Sequence, residues 1–249
     1  MGDQGNKAVA LASDSLQERL TPRSAATRAK LITVAERLFA SRGVDGVTLA
    51  EIGKLAGQRN AAVCQYHFGG RDSLLQAIID KHVPGIVARR HVLLDELERV
   101  GHFDLSDVVR ALVRPVAAKL TDPDGGRDFI RINAQLVALH TVHVRHAGPS
   151  PLKLPANDRF TLFLERALAG QELPVAVLKQ RAMLAAVLLF HGLADHLRML
   201  ELADTMDASM DTELFLGTLE DSIVAVLRGP LQSSGSVATF AKWERVHGG

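Results

Sequence analysis

Apolar residues recur at helical spacing through almost the whole interior of the chain. Leu31, Ala35, Leu38 and Phe39 form the first clear stripe, at positions i, i+4, i+7 and i+8, which is one face of an α-helix. Gly43 follows, and glycine is the usual residue just beyond a helix C-terminus. No run of about four to eight residues alternates apolar and polar positions between turn signals, as a half-buried strand would. The pattern therefore predicts an all-α fold.

Two short helices are predicted next. Thr48 and Glu51 have the spacing of a capping box, in which each side chain accepts a backbone N–H from the other residue, so a helix begins there. Ala56-Gly57 ends it. Asn60 is the expected N-cap of a following helix that closes at Gly69-Gly70. Two short helices joined by a turn that contains glycine are typical of a helix-turn-helix.

The remaining chain is also predicted to be helical. A fourth helix is expected to begin with Asp72 as its cap and to kink at Pro84-Gly85, because proline inside a helix removes a backbone hydrogen bond. Further helical stretches are predicted at about 104–120, 126–146, 158–170, 174–202 and 211–228. Turn-rich segments such as 122–126 and 148–151 separate them. The ends of the chain, at 1–22 and 230–249, are expected to be disordered tails.

Charge is distributed unevenly along the chain. Residues 21–71 hold eight basic and three acidic side chains, a net charge of +5, whereas the rest sums to −4. A basic head on a mildly acidic body suggests a polyanionic partner, although a solvated polar face would give the same count. The longest uncharged apolar stretch, 182–194, is short for a membrane span. The single cysteine, Cys64, excludes an intramolecular disulfide, and no signal peptide is recognisable, so a cytoplasmic protein is expected.

The helix predicted from Asn60 carries side chains suited to duplex DNA. Arginine can bond guanine with two N–H groups, asparagine and glutamine suit adenine, and tyrosine or histidine can reach phosphates. These side chains are Arg59, Asn60, Gln65, Tyr66 and His67. From the pattern alone, a small three-helix bundle with a polar exterior remains an equal alternative.

Residues 27–78 resemble the DNA-binding domain of the TetR family of transcriptional repressors. The most specific pieces are AERLFASRGVDGVTLAEIGKLAG and the later YHFGGRDSLL. The resemblance implies that Thr48, Tyr66, His67 and Arg71 contact DNA phosphates and that base reading falls to the span 59–65, where Arg59, Asn60 and Gln65 have the hydrogen-bonding capacity. The intervening QRNAAVCQ is one residue longer than the commonest family spacing, which leaves the phase of the reading helix open.

The resemblance also implies two domains and a dimer. The two domains are a three-helix helix-turn-helix domain at 23–71 and a helical effector-binding and dimerisation domain at 72–229. A homodimer matches a pseudo-palindromic operator, since one short helix reads too few bases for specificity. The expected dimer helices are 174–202, with apolar Leu184, Val187, Leu188 and Leu197, and 211–228. The partners of the protein would be double-stranded operator DNA and a small-molecule effector.

A mostly apolar pocket with few polar anchors is the expected effector site. Candidate lining residues are Asn133, Leu136, His140 and His191. An ordinary amphipathic helix explains the 126–146 pattern equally well. No cofactor is indicated.

Two further clusters have functional and structural interpretations. A metal site is one interpretation of the histidines, but their spacing places few of them on one helix face. These residues are His140, His143 and His146 on one helix and His191, Asp195 and His196 on another. Cys64 is either a redox-sensitive thiol or, more simply, a small buried hydrophobe.

The sequence thus predicts a ligand-responsive transcriptional repressor and not an enzyme. It contains no recognisable nucleophile elbow, phosphate-binding glycine loop or metal-ligand motif. The alternative is a helical enzyme or small-ligand carrier without specific DNA binding.

Overall fold

The computed structural model describes residues 21–143, 158–170, 173–205 and 211–230. Every regular element in these ranges is helical, which confirms the all-α prediction for the described part of the chain. The chain divides into two compact units: residues 1–85 with 119–155, and residues 86–118 with 156–249.

In chain order the helices are α1 (Pro22–Arg42), α2 (Leu49–Leu55), α3 (Val63–Phe68), α4 (Arg71–Val100), α5 (Leu105–Ala117), α6 (Gly126–His143), α7 (Asp158–Ala167), α8 (Val175–Thr205) and α9 (Thr212–Arg228). A 3-10 turn at Ala118–Leu120 follows α5.

The first unit is built on the apolar stripe of α1. Leu31, Ala35 and Phe39 are completely buried, as the helical spacing predicts. This helix packs against α2 and along α6, and α2 packs in turn against α3. Phe129 and Ile130 of α6 are also buried, so the core of this unit includes residues far downstream in the sequence.

A buried charged cluster lies in the same unit. The Glu36 carboxylate, 1% exposed, accepts a hydrogen bond from Lys81 Nζ at 2.8 Å and lies 2.8 Å from His82 Nε2. Lys81 also pairs with Asp124 at 2.8 Å, and the His82 ring lies 4.6 Å from the ring of Phe129. Burial acts to lower the pKa of Lys81, but its hydrogen bonds to Asp124 and Glu36 outweigh burial and raise it. The cluster therefore joins α1 to the first turns of α4 and to the loop before α6.

The C-terminus of α1 is held by a side chain from α6. The amide nitrogen of Gln135 donates to the Phe39 carbonyl at 3.1 Å, and its amide oxygen accepts the backbone N–H of Val44 at 3.1 Å. One amide thus satisfies a carbonyl at the helix end and a donor in the loop that follows.

The second unit packs α9 against α8 and α5, and α5 against α7. Leu94, Val108, Ala111 and Phe163 form a buried cluster at the contact of α4, α5 and α7. An ion pair at 2.5 Å between Arg114 and the largely buried Glu220 links α5 to α9.

Arg181 near the start of α8 donates to the carbonyls of Leu227 and Gly229, at and beyond the last turn of α9. A cation at a helix C-terminus satisfies orphan carbonyls and matches the helix dipole.

Helix boundaries agree with the predicted stretches to within a few residues, with two corrections. Helix α1 begins at Pro22 with Thr21 as its cap, because proline suits the first helical position. Helix α4 begins at Arg71, so Asp72 lies in its first turn and is not its cap. The helix continues through Pro84, and the predicted kink there stays a prediction.

The domain limits inferred from the sequence stay predictions. The compact unit that contains α1 to α3 also takes in residues 72–85 and 119–155. Of the predicted tails 1–22 and 230–249, residues 1–20 and 231–249 lie outside the described residues, as do His146 and the turn-rich segment 148–151. Pro22, by contrast, belongs to α1.

Helix α8 is unusually apolar. Its residues Val175–Ala203 are long and apolar enough, by length and composition alone, to cross a membrane, with a mean hydropathy of 1.3. The uncharged stretch within it, 182–194, is by contrast short for a membrane span. The core helix of a soluble protein meets the same criterion, but only 17% of the apolar window is buried within this chain.

Candidate nucleic-acid interface

The turn between α2 and α3 depends on two glycines. A Cβ at Gly53 would lie 2.9 Å from Val63 Cγ1, so only glycine permits the observed approach of the two helices. Gly57 has φ +73°, a left-handed conformation that favours glycine, and it follows the last turn of α2. Together these residues fix the angle at which α3 leaves α2.

Thr48 caps α2 as the sequence predicts. Its hydroxyl oxygen accepts the backbone N–H of Glu51 at 3.3 Å, and the Glu51 carboxylate accepts the N–H of Thr48 at 3.4 Å. Arg42 donates to Glu51 at 2.6 Å and lowers the pKa of this carboxyl group. The Thr48 side chain is exposed, so its hydroxyl hydrogen can donate to an anion outside the protein.

Helix α3 starts later than predicted. Asn60 does not cap it, because the Asn60 side chain accepts the N–H of Ala62 at 2.9 Å and its carbonyl accepts the N–H of Val63 at 3.2 Å, which forms a turn. The helix begins at Val63 with no side-chain cap. Arg59 and Asn60 therefore lie in the exposed turn before the helix rather than on it.

The two faces of α3 differ sharply. Val63, Cys64 and Phe68 are buried and form its core face. Gln65 and Tyr66 are on the exposed side, and Tyr66 is 83% exposed. Burial raises the pKa of the Cys64 thiol, so this residue is a small hydrophobe with little thiolate character.

The C-terminal end of α3 contacts an arginine of α1 that no motif in the sequence predicted. Arg28 of α1 lies over the ring of Phe68, with its guanidinium carbon 4.9 Å from the ring centre. Burial, and then the charge of Arg28, lower the pKa of His67. Arg28 and His67 are about forty positions apart, so neither motif nor periodicity signalled their proximity.

Gln65 and Arg71 are partly engaged inside the protein. The Gln65 amide nitrogen donates to the Gly69 carbonyl at 2.6 Å, near the end of α3. Arg71 donates to Asp45 at 3.0 Å and to the Val47 carbonyl at 2.8 Å, which holds the start of α4 against the loop before α2. A guanidinium has five N–H groups, so Arg71 retains donors for a phosphate.

Two further basic side chains carry unneutralised charge. Lys54 and Arg59 are exposed and have no ion pair with a carboxylate among the described residues. In contrast, Arg42 and Arg71 are paired with acids. The net positive charge of this segment therefore resides partly on side chains at the end of α2 and in the turn before α3.

The predicted effector residues fall in different compact units. Asn133 and Leu136 lie in the first unit and His191 in the second, and the Asn133 amide donates to the Phe129 carbonyl of its own helix at 2.8 Å. His140 lies on α6, and its side chain is outside the described residues.

No group of His, Cys, Asp or Glu in the described residues could hold a metal ion, and the side chains of His140, His143 and His146 lie outside those residues. His196 instead lies 3.0 Å from the Thr212 hydroxyl and stacks on Phe215, with 4.1 Å between ring centres. Burial lowers the pKa of His196.

The second unit contains a cavity of about 210 Å³ with mostly apolar walls, contributed by α4, α5, α7, α8 and α9. The first unit contains a wider and more open cleft of about 570 Å³, lined by both acidic and basic side chains such as Asp122 and Arg131. Small-molecule sites are usually apolar and concave with few polar groups, which describes the cavity of the second unit and not the cleft of the first.

Residues 31–78 match the family described as bacterial regulatory proteins, tetR family. Two relatives from Pseudomonas putida, the probable HTH-type transcriptional regulator ArpR and the HTH-type transcriptional regulator TtgR, are each 31% identical over 199 residues. Each alignment covers 77% of this chain and 89% of the relative. A solved TetR-family transcriptional regulator from Rhodococcus sp. superposes with a TM-score of 0.46 at 18% identity, over 81% of this chain and 98% of that one. On the sequence matches, the chain belongs to the TetR family of bacterial transcriptional regulators.

Proposed function

We propose that the protein acts as a homodimeric repressor that binds a pseudo-palindromic operator and releases it when a small molecule occupies the second unit. Its activity is binding and not catalysis, and it acts in the cytoplasm. The observation that carries the proposal is the capped helix-turn-helix, in which α3 buries one face and exposes a polar one. Such a helix can enter a major groove without disturbing its own core.

The DNA contacts divide into two classes. Thr48, Tyr66, His67 and Arg71 would contact phosphates, which position the protein but carry no sequence information. Arg59, Asn60 and Gln65 would read bases. Because Arg59 and Asn60 precede α3, they would meet base edges from the turn at its N-terminal end, the end with which recognition helices usually read DNA.

The proposed dimer surface lies on α8 and α9. Leu184, Met199, Leu202 and Leu214 are between 53% and 70% exposed on these two helices. Exposed apolar residues in such number mark a protein interaction surface, and a second copy of the same surface would cover them. Leu197, named from the sequence as a dimer residue, is completely buried within the chain and belongs to the core instead.

The effector would occupy the apolar cavity of the second unit. Release of DNA requires that the effector bind more tightly to the conformer with lower DNA affinity, because a ligand with equal affinity for both conformers shifts nothing.

Selection of randomised duplex DNA by the purified protein tests the proposal. A palindromic consensus is expected, with affinity that falls steeply as salt rises because phosphate contacts release counterions. Arg59→Ala should cost about 1–3 kcal/mol at one base position, roughly 5- to 150-fold. Arg89→Ala is the matched control, since it removes an exposed arginine from outside the head.

Lack of enrichment by protein that is folded and dimeric would refute specific DNA recognition. A species of monomer mass, 26.9 kDa, in sedimentation at micromolar concentration would refute the dimer. Equal losses in Arg59→Ala and Arg89→Ala would refute base reading by Arg59.

A further inference from the structure

Arg90 is the exceptional charged residue of the second unit. Three charged residues are buried in the described part of the chain: Glu36, Arg90 and Glu220, with His82 beside the first. Glu36 is paired with Lys81, and Glu220 with Arg114. Arg90 is only 7% exposed and has no ion pair with any described carboxylate.

Among the described residues, no carboxylate compensates the charge of Arg90. Its Nε donates to the Ala111 carbonyl at 3.2 Å, and its guanidinium carbon lies 5.2 Å from the ring centre of Phe160. Within the described residues, neither Nη atom has a hydrogen bond. An aromatic face attracts a cation weakly and does not neutralise it. Burial lowers the pKa of this guanidinium, which is the direction expected for a cation without a counter-charge.

Arg90 is one of the residues that line the apolar cavity, and so is Phe160, whose ring its guanidinium approaches. The walls around it include Leu112, Phe160, Leu164 and Leu189, and no lining residue is acidic. A buried charge is normally paired, because taking it out of water is costly. The fold therefore keeps a cation at the wall of an apolar cavity where the described part of the chain supplies no anion.

We propose that the effector is a small apolar anion, a monocarboxylate whose carboxylate pairs with Arg90 and whose hydrocarbon body fills the cavity. The guanidinium matches a carboxylate with two parallel N–H groups, and the two Nη atoms have donors for it. This inference rests on the proposed effector role of the second unit.

The cavity limits the size of the ligand. An apolar cavity of about 150 Å³ accommodates benzene, so a cavity of about 210 Å³ has room for one ring and a carboxylate, or for a short branched chain.

The binding test uses the full chain without DNA. Benzoate, phenylacetate and hexanoate are compared at neutral pH with benzamide, phenylacetamide and hexanamide by calorimetry and thermal shift. At least one acid should bind, and its amide should bind about 10- to 150-fold more weakly, because a charge-assisted hydrogen bond contributes far more than a neutral one. Absence of binding by all three acids, or equal binding of acid and amide, would overturn the proposal.

Two variants separate recognition from a structural role. Arg90→Met keeps the alkyl stem and removes the charge, so it should abolish the preference for the acid. Its unfolding temperature without ligand should change little, because removal of an unpaired buried charge offsets the lost hydrogen bond to the Ala111 carbonyl. Arg89→Met, which changes the exposed neighbour, should retain the preference. An Arg90→Met protein that melts earlier but still prefers the acid would show that Arg90 is structural, and would overturn the proposal.

The proposed repressor function and the proposed anionic effector can be refuted independently of each other. Operator enrichment together with no binding of any acid would leave the regulator intact and refute the anionic effector. An acid that binds through Arg90 but leaves the operator complex unchanged would refute its role as the effector.

Discussion

Replacing Glu36 by glutamine should destabilise the first unit substantially. The substitution preserves the size of the side chain and removes the negative charge that lies within 2.8 Å of both Lys81 Nζ and His82 Nε2. The glutamine amide has one acceptor oxygen, so one of the two partners must face an NH₂ group instead. The site is buried, and water cannot replace the lost interaction.

The expected magnitude follows from the pairing. Removing one partner of a buried ion pair costs about 3–5 kcal/mol. Lys81 keeps Asp124 as a second partner in Glu36→Gln, so the cost should lie near the lower end, about 3 kcal/mol. For a chain of this size that corresponds to a fall of about 6–12 °C in the unfolding temperature of this unit.

Thermal unfolding followed by far-ultraviolet circular dichroism measures the effect. The matched control is Glu96→Gln, which removes the same charge from an exposed pair with Arg99 on one helix. Exposed pairs contribute little to stability, so this variant should melt with the unchanged protein. His82→Phe is the second variant: it keeps an aromatic ring against Phe129 and leaves Glu36 with Lys81, and it should lose less than Glu36→Gln.

A Glu36→Gln protein that melted together with Glu96→Gln would contradict this expectation. The buried cluster would then be no more stabilising than a surface pair, and the joining of α1 to α4 would have to depend on apolar contacts alone.

Three further effects are expected. Gly53→Ala places a Cβ 2.9 Å from Val63 Cγ1 and should lower the free energy of unfolding by about 1–3 kcal/mol, measured by chemical denaturation. The double variant with Val63→Ala should recover part of this loss. An unchanged free energy of unfolding in the single variant would contradict the close approach. Burial and Arg28 oppose protonation of His67 in the free protein, whereas a bound phosphate favours it. DNA affinity should therefore rise as pH falls below about 6.5. The DNA affinity of His67→Gln, measured over the same pH range, should show less of this rise. Because burial lowers the pKa of His196, the unfolded chain takes up a proton on this residue near pH 6.5 and the folded chain only at lower pH. The free energy of unfolding should therefore fall with acidification across that window and level off below the folded pKa. His196→Phe should remove this part of the pH dependence of unfolding.

Much of the fold was predictable because it is locally encoded. The stripe from Leu31 to Phe39, the caps at Thr48 and Gly43, and the turn at Gly57 are short-range signals, and each has the predicted role in the structure. The prediction for Asn60 was wrong for the same local reason: its side chain competes for backbone N–H groups in a turn as readily as at a helix cap.

The candidate sites were less predictable because their residues meet only through packing. Arg89 and Arg90 are neighbours and chemically alike in the sequence, yet one is exposed and the other is buried beside an apolar cavity. Successive helix positions differ by about 100° around the axis, so which of the two is buried depends on where α5 and α7 pack. In the same way, Arg28 and His67 become neighbours only when α1 and α3 are folded together.

The hydrogen bonds of the Gln135 amide have a consequence for folding during synthesis on the ribosome. The amide holds Phe39 and Val44, at and just beyond the end of α1, which lie 96 and 91 positions before Gln135 in the sequence. A nascent chain that has emerged only to residue 85 lacks this amide and also the buried Phe129 and Ile130. The DNA-reading helices, although first to be synthesised, should therefore reach their final packing only after α6 has left the exit tunnel, and a fragment cut at residue 85 should be a poor substitute for the whole regulator.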